Sequence, residues 1–163
     1  MQARWLAALV ALGLVPAGAA AQAPPNSPAQ ALFEGLLVND PATTPAIRAL
    51  LSSDAGFVEP QPAFADVTGD RRMDAVVQVR MPGAAGTVAV YAFSADGTSN
   101  GRLRAILRSQ ALYRATVRVA PGTVTILVPR YSSGDDLCCA SARTERTYAW
   151  DARTHRLRRR TAV

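Results

Sequence analysis

Three aspartates and a threonine recur at short intervals over residues 66–74, immediately before a run of β-branched residues. Their side chains occupy loop positions 1, 3, 5 and 9, the spacing with which a calcium loop surrounds a hard cation, and position 7 adds a backbone carbonyl. The spacing therefore predicts a calcium site formed by Asp66, Thr68, Asp70, the carbonyl of Arg72, and Asp74. The same residues fit a second interpretation, an Asx-type turn in which Asp66 and Asp70 accept hydrogen bonds from backbone N–H groups.

This segment resembles the D-x-[DNT]-G-D-G-x-x-D loop of FG-GAP and VCBS-type repeats, extracellular β modules that commonly bind calcium through it. The loop occurs once here, so the resemblance does not imply the propeller that those repeats build. Thr68 stands where a carboxylate is usual, and Arg71 stands where the pattern has glycine. Both departures reduce the negative charge around a cation, and calcium affinity follows the charge of the ligands.

Cys138 and Cys139 are adjacent and are the only cysteines in the chain. Consecutive Cα atoms lie about 3.8 Å apart, closer than the roughly 4.4 to 6.8 Å of an ordinary disulfide. Three states stay open: a vicinal disulfide that stiffens a loop, two free thiols, or an intermolecular link. The pair lacks the C-x-x-C spacing of redox enzymes. Together with the distant His155 it supplies too few soft ligands for zinc.

The cysteines belong to the segment Y-S-S-G-D-D-L-C-C-A-S at residues 131–141, which T-Y-A-W-D follows at residues 147–151. Together with the upstream T-G-D-x-x-x-D loop, this order resembles the LppP/LprE family of actinobacterial envelope lipoproteins, over about residues 30 to 160. The resemblance implies a location in the cell envelope more than an activity. The chain departs from the family in having no lipidation cysteine and in carrying Ala140 where the family usually has proline.

No catalytic motif accompanies these segments. His155 is the only histidine and lies among arginines near the C-terminus. Neither a G-x-S-x-G elbow nor a P-loop is present. A glycosidase-like carboxylate pair drawn from Glu34, Glu59 and the aspartates is not specified by any spacing. The leading hypothesis is a non-catalytic binding or structural module, calcium-stabilised if the loop is occupied, and an envelope enzyme acting on carbohydrate or another polymer is the alternative.

Two short helices are predicted ahead of these loops. Ser27 can cap the first, Pro28 suits its first position, and Gln30 completes an S-x-x-Q capping box. The sequence Asn-Asp-Pro at residues 39–41 ends this helix, and Thr44-Pro45 opens the second.

From residue 75 onward the periodicity changes from helical to strand-like. Seven runs are predicted as strands, at residues 75–81, 86–94, 103–109, 113–120, 123–130, 145–150 and 157–161. Short turns separate them, which favours antiparallel pairing, because parallel crossovers need a dozen or more residues. Alternation on the fourth run predicts a sheet with one solvated face. We therefore expect an α+β fold, with two short N-terminal helices packed on an antiparallel β-sheet of five to seven strands.

The N-terminus has the pattern of a secretory signal peptide. Arg4 precedes an apolar run over residues 5–15, then Pro16 and a small-residue stretch that ends at Ala21. A spanning helix needs roughly 20 apolar residues, so this shorter run predicts cleavage after about Ala21 and no stable membrane insertion. Residues 22–27 are a Pro-containing flexible lead, and residues 28–163 are predicted to form a single domain that is secreted or periplasmic.

The chain is basic, with a net charge of +6, and its 18 basic residues are all arginine. A solvated surface explains such a charge before a dedicated partner does. The densest group lies beside the C-terminus: Arg153, Arg156, Arg158, Arg159 and Arg160. In an exported protein its partners would be anionic envelope polymers or lipid head groups, and not nucleic acid. An electrostatic binder of such polymers is therefore a further alternative.

Overall fold

The computed structural model describes residues 27–95 and 102–160. The predicted signal peptide, nearly all of the lead and the predicted turn at residues 96–97 lie outside the described residues.

The chain has an α+β fold that begins with the two predicted helices. Helix α1 spans Pro28–Asn39, and its N-cap Ser27 accepts a hydrogen bond at Oγ from the Gln30 amide at 3.1 Å. Helix α2 spans Pro45–Ser52. Proline at the first position of each helix loses no hydrogen bond, because that N–H would have no intrahelical partner. None of the helices described has the length and hydrophobicity needed to cross a bilayer.

Two antiparallel sheets follow, one of five strands and one of four. The first sheet contains β1 (Phe57–Val58), β2 (Ala63–Ala65), β3 (Asp74–Met81), β4 (Gly86–Ser94) and β5 (Arg104–Ser109). The second contains β6 (Thr116–Ala120), β7 (Thr123–Arg130), β8 (Ala142–Asp151) and β9 (Arg156–Arg159). A 3₁₀ turn at Gly83–Ala85 joins β3 to β4.

The first sheet is covered on both faces. The helices pack on one face, where the rings of Phe33 and Phe93 lie 5.1 Å apart between centroids. The other face packs on the second sheet, with Val76, Val90 and Ile126 in the core between them. Consequently β4 is buried along nearly its whole length, which explains why its sequence is a continuous apolar run without alternation.

The second sheet has one solvated face, as the alternation on β6 predicts. Its inward residues belong to the core between the sheets, and every second residue points the opposite way. We call this opposite side the outer face. The predicted helices, the solvated face and the antiparallel pairing are confirmed. The structure adds that the strands divide between two sheets, and that the short β1 and β2 extend the first sheet.

The division between sheets occurs at residues 110–115, which the sequence placed partly in a strand. The amides of Leu112, Arg114 and Ala115 donate to carbonyls of Val88, Ala85 and Thr87, so this segment still bonds to the start of β4. The β6 strand begins only at Thr116, once the chain has crossed to the second sheet.

Candidate functional site

The loop at residues 66–74 uses its carboxylates to hold its own backbone. Asp66 accepts from the amides of Gly69, Asp70 and Arg71, at 2.6, 3.2 and 2.8 Å. The Oδ1 of Asp70 accepts from the amide of Arg72 at 2.8 Å. These are the bonds that the Asx-turn interpretation describes.

Asp74 closes the same loop from the first residue of β3. Its Oδ2 accepts from the amides of Val67 and Thr68, at 2.9 and 3.0 Å, and only 1% of the residue is exposed. Arg71 takes the left-handed backbone conformation, with φ of 66°, that glycine would adopt without strain. The loop therefore accommodates arginine where the pattern has glycine, although the left-handed backbone conformation costs free energy.

The loop also joins the two sheets. Val67 is completely buried in the core between them, and the carbonyl of Asp66 accepts from the amide of Gly122 at 2.9 Å. Gly122 lies in the turn between β6 and β7. The loop therefore positions the second sheet against the start of β3.

The carboxylates of this loop bond to backbone amides, which bears on the predicted calcium site. A hard cation is surrounded by six to eight oxygens, whereas Asp66 accepts backbone hydrogen bonds at both of its oxygens. Within residues 27–95 and 102–160, no group of three or more His, Cys, Asp or Glu side chains is arranged to hold a metal ion. Both oxygens of Asp66 are already used by the backbone, and the calcium site stays a prediction.

Cys138 and Cys139 are joined in a vicinal disulfide. They lie in residues 131–141, between β7 and β8, which we call the disulfide loop. Asp135 closes its base, because its Oδ2 accepts from the amides of Ser132 and Ser141 at 2.7 and 2.9 Å. The Ser132 amide bond is the largest of the effects that lower the pKa of this carboxyl. Asp135 therefore ties the two ends of the disulfide loop together, whereas the disulfide joins adjacent residues within it.

A pocket lies between the disulfide loop and the neighbouring ends of β6, β7 and β8. It encloses about 180 Å³ and is lined by Arg114, Thr116, Leu127, Pro129, Tyr131, Cys138, Ala140 and Arg143. The register pairs Thr116 with Leu127 and Pro129 with Arg143, so these four residues belong to the outer face. The pocket is thus the end of the outer face over which the disulfide loop folds.

The rest of the outer face is also rich in arginine. Arg118 lies opposite Thr125, whereas Arg156 and Arg158 lie on β9 opposite Asp151 and Ala149. All three arginines are exposed. The acidic residues of this face in the described strands are Glu145 and Asp151, and the Asp151 carboxylate lies 3.9 Å from Arg158.

The C-terminal arginines do not form one continuous face. Strand alternation separates Arg159, which pairs with the inward Tyr148, from Arg156 and Arg158. Leu157 between them is buried in the core, and Arg153 lies in the preceding turn. The outer face instead carries its arginines on β6, β8 and β9, with Glu145 and Asp151 on the same face.

The groups considered for catalysis lie in separate parts of the structure. His155 is exposed in the turn before β9, with its ring centroid 6.1 Å from that of Trp150. Glu34 and Asp54 line a cleft of about 450 Å³ along the helices, which opens widely to solvent.

Asp40 joins the end of α1 to β5. Burial raises the pKa of its carboxyl, but the hydrogen bonds from the Ala42 amide and the Arg108 guanidinium outweigh burial and lower that pKa. Both Nε and Nη2 of Arg108 reach the same oxygen of Asp40, at 3.0 and 2.7 Å. This carboxylate is held in its charged form and supports the fold.

The sequence did not predict a role in a site for three of the pocket residues, namely Pro129, Tyr131 and Arg143. Arg114 falls within the fourth predicted strand, residues 113–120. A signal was present in the alternation of this strand, because Arg114, Thr116 and Arg118 share a solvated side. Finding Arg143 also required the register between β7 and β8.

A comparison of this chain with protein-family models, curated proteins and solved structures finds no match.

Proposed function

We propose that this chain is an exported, non-catalytic module that binds an anionic polymer of the cell envelope through the outer face of its second sheet. The observation that carries the proposal is the charge of that face. Arg118, Arg143 and Arg156 come from three different strands, and no hydrogen bond or ion pair to another described residue involves their guanidinium groups. Unpaired guanidinium groups keep their donors available to carboxylate or phosphate groups.

The position of this face supports the same function. Among the described elements, both faces of the first sheet are covered, whereas the outer face is exposed across four strands. A linear polymer can contact several strands at once on such a surface. Positive potential spread over it also raises the rate at which anionic chains are encountered.

The predicted location is consistent with such a ligand. The signal-peptide pattern over residues 1–21 directs the chain out of the cytoplasm, where anionic polymers of the envelope are abundant partners. The resemblance to envelope lipoproteins supports the same location. A disulfide between Cys138 and Cys139 also suits an oxidising compartment.

Binding of the mature chain to polygalacturonate and to polyphosphate, with uncharged dextran as the reference, tests the proposal. Between about 0.01 and about 1 M salt the Debye length falls from about 30 to about 3 Å. We expect the affinity for at least one polyanion to fall by an order of magnitude or more over that range. Affinity for neither polyanion, or affinity that salt leaves unchanged, would contradict the proposal.

A charge-matched pair of variants separates the face from the net charge. The double variant Arg118→Glu and Arg156→Glu reverses charge on the outer face. The control, Arg72→Glu and Arg130→Glu, makes the same change at exposed arginines outside it. We expect the first variant to lose most of its affinity and the control to keep most of it. Equal losses would mean that overall charge, and not this face, attracts the polymer.

A further inference from the structure

The pocket beneath the disulfide loop differs from the rest of the outer face because it is concave and encloses two arginines. Arg114 approaches it from the segment before β6, and Arg143 approaches it from β8. No acidic residue lines it. The nearest acid along β8, Glu145, lies opposite the pocket residue Leu127, and its carboxylate approaches the hydroxyl of Thr147 at 3.3 Å. The lining of the pocket itself therefore carries two positive charges and no negative one.

Arg114 is held in place before any ligand arrives. Its Nη1 donates to the carbonyl of Leu137 in the disulfide loop, and its amide donates to the carbonyl of Ala85 at 2.9 Å. Its backbone φ is 51°, a left-handed conformation that residues other than glycine and asparagine rarely adopt. Such strained residues persist where the surrounding structure fixes them, and they are concentrated at binding sites.

Arg143 is the complementary, movable group. It is exposed, and its guanidinium makes no hydrogen bond or ion pair with the described part of the chain. One fixed and one movable guanidinium can grip a single oxyanion from two sides, because each presents several N–H donors in a planar fork.

The size and walls of the pocket limit what enters. Its volume is about 180 Å³. That is room for one charged group and part of the residue that carries it. Pro129 and the ring of Tyr131 provide a less polar wall. The Tyr131 hydroxyl donates a hydrogen bond to the Leu137 carbonyl at 3.1 Å. Because the hydroxyl has this partner, the ring can pack against a ligand.

We propose that this pocket is an oxyanion subsite, in which Arg114 and Arg143 together bind one carboxylate or phosphate group of the polymer. This inference rests on the proposed function and adds a single defined site to it. The remaining arginines of the outer face attract the polymer, and the pocket fixes the position of one of its residues.

Calorimetric titration of the mature protein with three monomeric probes at low salt tests the site. The probes are glucuronate, glucose 6-phosphate and the neutral reference glucose. We expect one-to-one binding of at least one anionic probe and no binding of glucose. Stronger binding of glucuronate indicates a uronate-type polymer, whereas stronger binding of glucose 6-phosphate indicates a phosphate-bearing one.

Variants identify the groups responsible. Arg143→Ala should weaken binding of the anionic probe at least tenfold, the effect of losing a charge-assisted pair of hydrogen bonds. Arg143→Lys should recover part of the affinity, because it keeps the charge and loses the fork. The matched control Arg130→Ala removes one arginine from β7, on the side opposite to Pro129, and should bind as the wild type does.

The outcomes separate this site from the proposed function. If the polyanions bind but neither anionic monomer does, or if Arg143→Ala binds a monomer as tightly as the wild type, the subsite is refuted and the outer face stands. If neither polyanion binds, the proposed function itself fails, whatever the monomers do.

Discussion

The guanidinium of Arg114 donates a hydrogen bond to the backbone carbonyl of Leu137, which joins the segment before β6 to the disulfide loop. The two residues are 23 positions apart in sequence. The bond therefore connects two distant parts of the chain beside the pocket that Arg114 lines.

Substitution of Arg114 should separate backbone strain from this contact. Both Arg114→Ala and Arg114→Gly lose the bond to Leu137. Only alanine must still adopt the left-handed conformation at φ of 51°, which costs about 1 kcal/mol relative to glycine. We expect Arg114→Gly to unfold at a higher temperature than Arg114→Ala, by calorimetry. The reverse order would mean that this residue is not strained in solution.

Loosening the disulfide loop should weaken oxyanion binding without unfolding the protein. Asp135→Ala removes the acceptor for the amides of Ser132 and Ser141, and reduction opens the bond between Cys138 and Cys139. We expect either change to lower the affinity for the anionic monomer several-fold, with near-wild-type circular dichroism.

Mass spectrometry without reductant should first show the two cysteines joined within a monomer. A disulfide-linked dimer as the main species would contradict this arrangement.

The contact between Asp40 and Arg108 should contribute to stability only while the carboxyl is charged. The pKa of Asp40 is lowered in the folded chain from a reference of 3.8. Its contribution is therefore fully present above that reference and is lost as the pH falls through the folded value. We expect Asp40→Asn to lower the free energy of unfolding by about 1 kcal/mol at neutral pH, given partial solvent exposure. Denaturant titrations should show the difference disappearing in acid; an equal difference at acidic pH would exclude this origin.

The loop at residues 66–74 should stabilise the fold through its backbone hydrogen bonds. Asp74→Ala leaves the buried amides of Val67 and Thr68 without their acceptor, which should cost about 2 to 4 kcal/mol. We expect this loss to be equal in millimolar calcium and in chelator, with one melting temperature for the wild type in both. If calcium raised the melting temperature of the wild type, and Asp70→Ala abolished that rise, the calcium prediction would be supported instead.

Export should leave a defined N-terminus. The signal-peptide pattern predicts cleavage after Ala21, so N-terminal sequencing of secreted material should begin at Gln22. An intact N-terminal segment on the exported protein would show that this interpretation is wrong.

Local signals in the sequence were sufficient for the helices and for most strands. Ser27 and Pro28 define the start of α1, and the strand-like runs correspond to β3 through β9 within a few residues. The strands β1 and β2 were missed because two or three residues are too short to show alternation. The choice between one sheet and two depended on residues 110–115. Ala111 and Arg114 adopt positive φ there, and no glycine in the sequence indicates that the backbone turns at this point.

The pocket could not be predicted because its residues meet only through the register between strands. Arg143 lies opposite Pro129 on β7, and Arg114 reaches the site from a corner that the alternation assigned to a strand. The loop at residues 66–74 shows the opposite limit. Its spacing was clear in the sequence, but carboxylates that bind an ion and carboxylates that accept backbone amides occur with the same spacing.

The coverage of the first sheet also determines which parts of the chain can move. Separating the helices from it would expose Phe33, Phe93 and their neighbours to water, at a cost comparable to unfolding the core. The helical layer therefore cannot open as a lid during a binding cycle. Of the described loops, the disulfide loop lies on the side of the second sheet away from the helices, and its exposed residues can adjust to a ligand without disturbing either core.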